Sequence, residues 1–385
     1  MGERMTMTTS AAGASTRSRG RRIRPEDARS NNRRLVLQAL YRQDGLSRAD
    51  IARATGLSQV TISDLVGELV DEGLVVERGA GRRRGPGAPS RALALARSAR
   101  NVVAVSISSG DTFEGVVVDL AGTVLVREVV DRRGATGDEA ATLLGDLVER
   151  LTARAEAPVL GIGVSTPGIV DGAGVVRESS HLAWTDVALR EILHERTSLP
   201  VAVANGLNAA GIGELSHGQV DHDLLLVRIG AGVGAAAIID GAVVHGRNWT
   251  AGELGHVVVT EGTGPVCACG RTGCLEAWIS VPKLEARVAA APDADAAADR
   301  RREAGRCLGI ALAPLIATLG LTDVVLSGPA ALLDGVLIDA AREAIGARVL
   351  PIVFDDLILR RAEGDGDLRL RGAAALVLSE TLGLT

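Results

Sequence analysis

The chain contains few aromatic residues and only one lysine, Lys283. Aromatic residues make up 2% of its 385 positions, and the scarcity of lysine among 42 basic residues indicates biased codon usage rather than a function. Cysteine is scarce as well. Four cysteines in a chain of this length, three of them clustered, argue against a disulfide framework and predict a reducing, cytoplasmic environment.

Long apolar runs are also missing. The longest, around residues 307–321, is interrupted by Pro314 and falls short of the ~20 residues that a membrane-spanning helix needs. Residues 1–30 are rich in serine, threonine and arginine and lack the apolar core of a secretory signal. The sequence therefore predicts a protein without a membrane partner.

Charge, by contrast, is abundant and unevenly placed. Residues 1–97 carry 18 arginines against 10 acidic residues, a net charge of +8, whereas the rest of the chain carries −13, which gives −5 in total. A basic segment attached to an acidic body predicts a polyanionic partner for that end of the chain alone.

The length is too great for one ordinary core, so we expect several domains. Residues 1–28 are polar, include the run RSRGRRIR and predict a disordered basic tail. Two interpretations of this tail stay open, a solvated leader and a contact with DNA phosphates. Residues 29–97 and 98–385 are predicted to be the folded parts.

The first folded part has the pattern of a winged helix-turn-helix. Ser47 and Asp50 have capping-box spacing, which predicts a second helix over residues 48–55. Ser58 predicts the N-cap of a third helix that Gly73 ends. Two strand-like segments that flank a basic loop follow. A small helical adaptor that does not bind DNA is the alternative.

The third helix is the predicted recognition helix. Its apolar stripe consists of Ile62, Leu65, Val66, Leu69 and Val70. Polar residues off this stripe are predicted to approach base edges in the major groove, and arginines of the following loop to contact phosphates or the minor groove. The predicted DNA-binding residues are Ser58, Gln59, Thr61, Ser63, Arg82, Arg83 and Arg84.

From Val102 onward the chain alternates between apolar strand-like runs and helical segments. The predicted strands are VVAVSIS, EGVVVDL, VLGIGVS, VAVAN, LLLVRIG, AAAIID and DVVLSG. This alternation indicates an α/β fold, and the length of the segment predicts two lobes with a cleft. No repeat of fixed period is evident.

Three of the four cysteines cluster near a histidine. Cys267, Cys269 and Cys274 follow His256, and glycines flank the Cys-x-Cys pattern. Three thiolates and one imidazole are the ligand set of a closed, structural zinc site. The alternative is that these cysteines pack as small apolar side chains.

The chain resembles transcriptional regulators of the ROK family (repressor, open reading frame, kinase). The motifs that carry the resemblance are SRADIARATGLSQVTISDLVGELVDEGL, GIGVSTPGIVD, GELGH and CACGRTGCLE. The resemblance implies two actin-like α/β lobes with a sugar in the cleft and zinc beside it. The overall expectation is a winged helix-turn-helix followed by a two-lobed, actin-like α/β module.

Kinases of this family differ from the chain at positions needed for phosphoryl transfer. Residues 106–110 read SISSG where the resemblance implies Asp-x-Gly-Gly-Thr, so a carboxylate and two turn glycines are missing. Gly230–Gly234 keeps its glycines, although Ala231 replaces a hydroxyl residue. Gly206 stands where the kinases place the general base, and glycine cannot accept a proton. We therefore expect no catalytic residue and no enzyme activity.

The resemblance also implies a set of effector contacts. These residues are His181, Asn205, Glu253, His256 and Glu276. Three of them have a plainer alternative: Glu253 could orient His256, Glu276 could simply begin a helix, and His181, which replaces a common asparagine, could be a surface residue.

The favoured function is regulation, most simply repression, of carbohydrate genes by a homodimer or homotetramer. It would bind an inverted-repeat operator and respond to a sugar or sugar phosphate. A sugar kinase with a DNA-binding arm and a regulator with a vestigial cleft are the alternatives.

Overall fold

A computed structural model of the chain describes residues 25–80, 91–107, 110–217, 223–333 and 335–384. Among these residues, no helix combines the length and the apolar character needed to cross a membrane. The longest helix continues through Pro314, which lies within its 26 residues.

The N-terminal part is a three-helix unit with a two-stranded antiparallel sheet. Its elements are α1 Pro25–Arg42, α2 Arg48–Thr55, α3 Gln59–Asp71, β1 Val75–Ala80 and β2 Arg91–Leu95. This arrangement confirms the winged helix-turn-helix. The helix α1 begins within the segment predicted as tail, because proline, with its fixed φ and no N–H, is well suited to the first position of a helix. The rest of that predicted tail lies outside the described residues.

Local hydrogen bonds explain where α2 and α3 begin and end. The Ser47 and Asp50 side chains form the predicted reciprocal capping box at the start of α2. At the end of α3, Gly73 N–H donates to the Val70 carbonyl at 2.9 Å, and Leu74 N–H donates to the Leu69 carbonyl at 2.9 Å. This pair is a Schellman motif, and it needs the positive φ of 72° that Gly73 adopts.

A first α/β lobe follows, built on a five-stranded sheet of order β10-β6-β3-β4-β5, with a small sheet β7-β8-β9 beside it. Its elements are β3 Asn101–Ile107, β4 Thr112–Asp119, β5 Val124–Asp131, α4 Gly137–Ala153, β6 Val159–Thr166, β7 Ile169–Val170, β8 Val176–Ser179, β9 Trp184–Val187, α5 Leu189–Thr197 and β10 Val201–Asn205. Strands β3 to β5 form an antiparallel meander that β6 and β10 extend in parallel.

The second lobe has a five-stranded sheet of order β13-β12-β11-β14-β15. Its elements are β11 Leu224–Ile229, β12 Val233–Ile239, β13 Ala242–Val243, α7 Leu275–Ile279, α8 Val281–Ala289, α9 Ala294–Leu319, β14 Asp323–Ser327, α10 Gly335–Gly346, α11 Pro351–Asp355 and β15 Ile358–Arg361. Again an antiparallel meander is extended by two parallel strands. The lobes thus repeat one topology that no sequence repeat reveals, and the predicted two-lobed α/β fold is confirmed.

Two helices lie between the sheets, α6 Gly206–His217 and α12 Leu368–Leu382. Their backbones approach closely because glycines face each other. A Cβ atom on Gly372 would lie 1.6 Å from the Ala209 carbonyl oxygen, and one on Gly213 would lie 2.2 Å from the Leu368 carbonyl oxygen. Helix α12 also shares one hydrophobic cluster with α1, α2 and α3 of the winged helix and with β3 and β4. The N-terminal unit and the first lobe therefore have a continuous core.

Candidate effector cleft, metal centre and DNA-binding surface

A cavity of about 280 Å³ opens between the two lobes at the N-terminus of α6. It is lined by Ile107, Pro167, Gly168, Asn205, Gly206, Leu207, Arg228, Gly230, Ala231, Gly232, Val233, Gly234, Gly252, Glu253, His256, Glu276 and Arg369. Four of the five residues predicted to contact an effector line this cavity together. His181 is the exception: it lies, exposed, in a short 3₁₀ helix, where its carbonyl accepts a hydrogen bond from Arg132 at 3.2 Å.

Asn205 is the N-cap of α6. Its Oδ1 accepts hydrogen bonds from the Leu207 N–H at 2.8 Å and the Asn208 N–H at 3.4 Å, and its Nδ2 donates to the Gly168 carbonyl at 2.6 Å. An N-cap asparagine satisfies backbone donors that a helix start leaves without partners. Asn205 thus holds the helix start against the β6–β7 loop, and one amide hydrogen is left for a ligand.

Glu276 connects the cysteine-rich loop with the glycine-rich turn between β11 and β12. Its Oε2 accepts a hydrogen bond from the Val233 N–H at 3.0 Å, and the Cys267 thiol lies 3.9 Å from its Oε1. Glu276 is also the second residue of α7, where a negative charge is favoured by the helix dipole. Glu276 therefore both lines the cleft, as predicted, and stands at the start of a helix, as the alternative had it.

Two arginines at the cleft were not singled out from the sequence. Arg228, near the end of β11, donates to the Ser327 hydroxyl at 2.9 Å, and Arg369 reaches the cavity from the first turn of α12. Nothing in its strand marks Arg228 as a cleft residue. Arg369 could not be linked to the cleft from the sequence, because α12 follows Asn205 by more than 160 residues. The two arginines and the two glutamates, Glu253 and Glu276, give the cavity as many basic as acidic side chains.

The positions that the resemblance relates to kinase chemistry are Gly206 and the segment from Ser106 onward. Gly206 is the first residue of α6 and lines the cavity, and the three atoms nearest to a Cβ placed there belong to Arg369, Ser165 and Thr166. Ser106 is buried in β3. Residues 108 and 109 of the altered loop lie outside the described residues.

The His256, Cys267, Cys269 and Cys274 side chains form a compact group with all four ligand atoms within 4.8 Å of one another. The Cys269 and Cys274 sulfurs are 3.6 Å apart, and the Cys267 sulfur lies 3.7 Å from His256 Nδ1. Ligands placed tetrahedrally at zinc distances are separated by about 3.3–3.8 Å. The donor set and its spacing therefore fit a metal ion and are compatible with zinc.

A tight loop brings the three cysteines together. The Cys267 N–H donates to the Arg271 carbonyl at 2.8 Å, and the Gly270 N–H donates to the Cys267 carbonyl at 2.9 Å, so the chain reverses around Cys269. Gly270 and Gly273 both have positive φ, 86° and 83°, which glycine adopts without strain. The loop is thus shaped by its own glycines, as their positions flanking the cysteines suggested.

The thiols of this group differ in acidity. The backbone hydrogen bond at Arg271 lowers the pKa of the exposed Cys269 to about 7, with smaller contributions from Cys267, Cys274 and His256. Burial, together with the neighbouring Cys269 and Cys267 thiols, raises the pKa of Cys274 to about 12. A bound cation would favour the thiolate form of all three. At the other ring nitrogen, the Glu253 carboxylate lies 3.9 Å from His256 Nε2, close to the imidazole but beyond hydrogen-bond distance.

The predicted recognition helix exposes a face on which polar residues surround Val60. Gln59 and Ser63 are exposed on α3, in keeping with their predicted role. Ser58 and Thr61 are instead engaged at the helix start: Ser58 Oγ accepts the Thr61 N–H at 3.1 Å and lies 2.8 Å from Thr61 Oγ1. Arg82, Arg83 and Arg84 lie outside the described residues.

Comparisons with known proteins agree with this architecture. The ROK family model matches residues 103–380, and the MarR family model matches residues 31–85. A xylose repressor from Caldicellulosiruptor bescii is 28% identical over 386 residues, which cover 91% of this chain and 96% of the repressor.

Two solved structures are similar. A ROK family transcriptional regulator described as a homologue of the E. coli MLC protein has a TM-score of 0.82 at 24% identity, covering 93% of this chain and 98% of that one. A ROK hexokinase from Thermus thermophilus has a TM-score of 0.63 at 30% identity, covering 73% of this chain and 98% of the hexokinase. With a MarR-type winged helix in front of two actin-like lobes, the chain belongs to the ROK family.

Proposed function

We propose that the protein is a DNA-binding transcriptional repressor of carbohydrate genes, controlled by a sugar or sugar derivative in the cleft between the lobes. One observation carries the proposal: a winged helix shares a continuous core with the lobe that forms half of the cleft. The similarity to a xylose repressor along nearly the whole chain supports the same function. Because DNA is the partner, the proposal places the protein in the cytoplasm.

Absence of kinase activity is part of this proposal. A general base typically contributes 10²–10⁴-fold to rate, and Gly206 provides none. Because the chain is similar to a hexokinase, kinase activity should be tested directly. Purified protein incubated with ATP and glucose, xylose or N-acetylglucosamine should show no sugar-dependent ADP release. Turnover at the ~1–100 s⁻¹ of ordinary kinases would contradict the regulator function.

The proposed metal is one structural zinc ion per chain, held by His256, Cys267, Cys269 and Cys274. Elemental analysis of protein purified without chelator should find about one equivalent. Cys269→Ser should lower that content, because it removes one of four ligands, whereas Cys307→Ser, in the buried part of α9, should not. Equal zinc content in the two variants would show that the cysteine group is not the site.

The guanidinium groups in the cleft, rather than its net charge, favour a phosphorylated effector over a neutral one. Glu253 and the second amide hydrogen of Asn205 offer hydrogen-bonding groups to sugar hydroxyls, and Arg228 and Arg369 bring guanidinium groups, which match phosphate geometry well. The absence of a carboxylate at Gly206 removes a group that would repel phosphate.

A thermal-shift series tests this choice, since a ligand that binds the folded state raises its apparent stability. Glucose, N-acetylglucosamine and xylose would each be compared with the corresponding phosphate, with inorganic phosphate as control. A phosphorylated sugar should give the largest shift, and Arg369→Gln should reduce that shift selectively. A larger shift with a neutral sugar would assign the effector to the unphosphorylated class.

The proposed DNA target is an inverted repeat bound by a symmetric oligomer, most simply a dimer. Two recognition helices related by a two-fold axis meet half-sites about one helical turn, or a multiple of it, apart. Selection of fragments from a random DNA pool by the full-length protein should enrich such a palindrome, and sedimentation of the complex gives its stoichiometry. Enrichment of no sequence would contradict the proposed function.

A further inference from the structure

The outward face of α3 carries an apolar residue that the fold does not use. The side chains of Ile62, Leu65, Val66 and Leu69 are buried and hold the helix in the core of the N-terminal unit. The opposite face consists of Gln59, Val60, Ser63 and Asp64, all exposed. Their spacing of one, four and five residues places them side by side on one stripe of the helix.

Val60 is the unusual member of this stripe. It is 72% exposed, one of the two most exposed large apolar residues among the described parts of the chain, and it lies in the first turn of α3. A β-branched residue also has a lower helix propensity than many polar residues. Neither core packing nor helix stability therefore explains a valine at this position.

Its neighbour Thr61 is less suited to base contact than the sequence suggested. The Thr61 hydroxyl lies 2.8 Å from Oγ of the N-cap residue Ser58, and the Thr61 N–H donates to the same oxygen. Both polar groups of Thr61 are therefore engaged at the start of the helix. Thr61 is also only half exposed. The surface that α3 can offer to a groove thus contains Val60 where polar patterning had favoured Thr61.

We propose that Val60 recognises the 5-methyl group of a thymine in the major groove, and so selects an A·T pair in each half-site. Thymine is the base that presents a methyl group there, and apolar side chains are its usual partners. This inference rests on the proposed DNA-binding function and adds to it the identity of one base contact and the residue that makes it.

The neighbours of Val60 favour DNA over an apolar protein partner. On the helix, Ser63 and Asp64 flank Val60 and Gln59 precedes it. All three have groups that can bond to base edges: a glutamine amide pairs with adenine through two hydrogen bonds, and an aspartate accepts from the amino group of cytosine. A docking surface for a protein would require more apolar residues around Val60, and the described residues of this stripe offer none. One apolar side chain surrounded by polar groups matches the major-groove edge of an A·T pair, which has one methyl group among hydrogen-bonding groups.

The test uses DNA enriched from a random pool by full-length wild-type protein. Each thymine of the enriched half-site is replaced in turn by uracil, which deletes the methyl group and leaves every hydrogen-bonding group in place. Affinities are measured at fixed salt for wild type, Val60→Ala and Val60→Thr. Val129→Ala, a 57% exposed valine on β5 of the first lobe, is the matched control.

At one thymine position in each half-site, uracil should weaken wild-type binding about four-fold, the factor that corresponds to ~0.8 kcal/mol for one buried carbon group. Val60→Ala should bind the thymine site more weakly by a similar factor and should no longer distinguish uracil there. Val60→Thr keeps a γ-methyl group and should retain most of the discrimination. Val129→Ala should behave as wild type.

The outcomes distinguish the role of Val60 from the DNA-binding function on which it rests. An enriched site at which no thymine methyl matters, or at which Val60→Ala still distinguishes thymine from uracil, overturns the role of Val60 and leaves the regulator function standing. Failure of the wild-type protein to enrich any sequence overturns both. Loss of folding cannot explain the result if the melting temperatures of Val60→Ala and wild type agree, as its exposure predicts.

Discussion

At the scale of single residues, the start of α6 has a glycine at the position where the resemblance to the family's kinases implies a general base. Asn205 caps the helix and contacts the β6–β7 loop, and Gly206 occupies its first position inside the cavity. A Cβ on Gly206 would have no neighbour closer than 3.6 Å. The glycine is therefore not required by packing, and the absence of a carboxylate is a chemical difference rather than a steric one.

Gly206→Asp should consequently fold. Aspartate in the first turn of a helix is favoured by the helix dipole, so urea unfolding should show a free energy of unfolding equal to wild type or higher by ~0.3–1 kcal/mol. Gly372→Ala is the matched control, because its Cβ would lie 1.6 Å from the Ala209 carbonyl oxygen, and overpacking of this kind costs about 1–3 kcal/mol. We expect no kinase activity from Gly206→Asp, since the loop after β3 still lacks its carboxylate. A clearly destabilised Gly206→Asp protein would contradict this account.

At the scale of elements, the proposed DNA complex assigns phosphate contacts to the loop between β1 and β2 and base contacts to the helix α3. Phosphate contacts supply affinity without sequence information, whereas base contacts supply specificity. Arg82, Arg83 and Arg84 belong to the loop, and Gln59, Val60 and Ser63 belong to α3.

Replacing Arg82, Arg83 and Arg84 with alanine should weaken binding to all DNA sequences alike. Each lost phosphate contact should reduce the slope of log affinity against log salt by about 0.9. The measurement is binding to the enriched site and to unrelated DNA over a series of salt concentrations. Gln59→Ala is the contrasting variant and should lower affinity for the enriched site alone. If the triple variant keeps the wild-type salt slope, the loop does not contact phosphate.

The cysteine-rich loop is the second element with a testable role. Its Cys267 contacts His256 and approaches Glu276, whose carboxylate accepts a hydrogen bond from Val233 in the glycine-rich turn. Metal removal by a chelator should therefore lower the melting temperature and weaken effector binding together. Lower pH should promote the same loss, because thiolates and neutral imidazole are the ligand forms and protons compete for them. Restoration of both properties by added zinc is the control, and effector binding that survives chelation unchanged would separate the cleft from the metal.

At the scale of the whole molecule, the cleft and the winged helix are joined by α12. Arg369 in its first turn lines the cavity, and Leu378 and Leu382 near its end pack in the same cluster as Leu37 and Leu40 of α1. The cleft is formed by both lobes, so a ligand that binds one lobe arrangement better shifts the lobes toward it. Helix α12 is placed to transmit that shift.

Glu253→Ala should leave operator binding intact but remove the response to effector. Typical coupling of ~1–3 kcal/mol corresponds to a change in operator affinity of about 5–150-fold for wild type. Titration of effector in a DNA-binding assay measures it, and the reciprocal titration, effector binding with and without operator, must give the same factor. Glu261→Ala, in the exposed part of the following loop, is the control and should respond as wild type. A normal response from Glu253→Ala would place the effector elsewhere.

Some of this architecture could be predicted from the sequence because its causes are local. Ser47 with Asp50, Ser58 and Gly73 mark helix ends through hydrogen bonds within a few residues, and these ends were found as predicted. Buried strands such as β3 and β11 are apolar runs and were equally visible. The edge strand β5 was not predicted, because alternate residues face solvent and dilute its apolar signal.

The sequence by itself determined the winged helix, the alternation of strands and helices and the cysteine-rich metal-type loop, because each depends on neighbours along the chain. Tertiary structure alone decided that Arg228 and Arg369 share a cavity with Glu253, that His181 lies outside it, and that Val60 is more exposed than its neighbour Thr61. Those facts depend on the packing of elements distant in sequence, or on which of two adjacent side chains a helix buries. The repeated topology of the two lobes is likewise a property of strand order, which hydrophobic patterning does not encode.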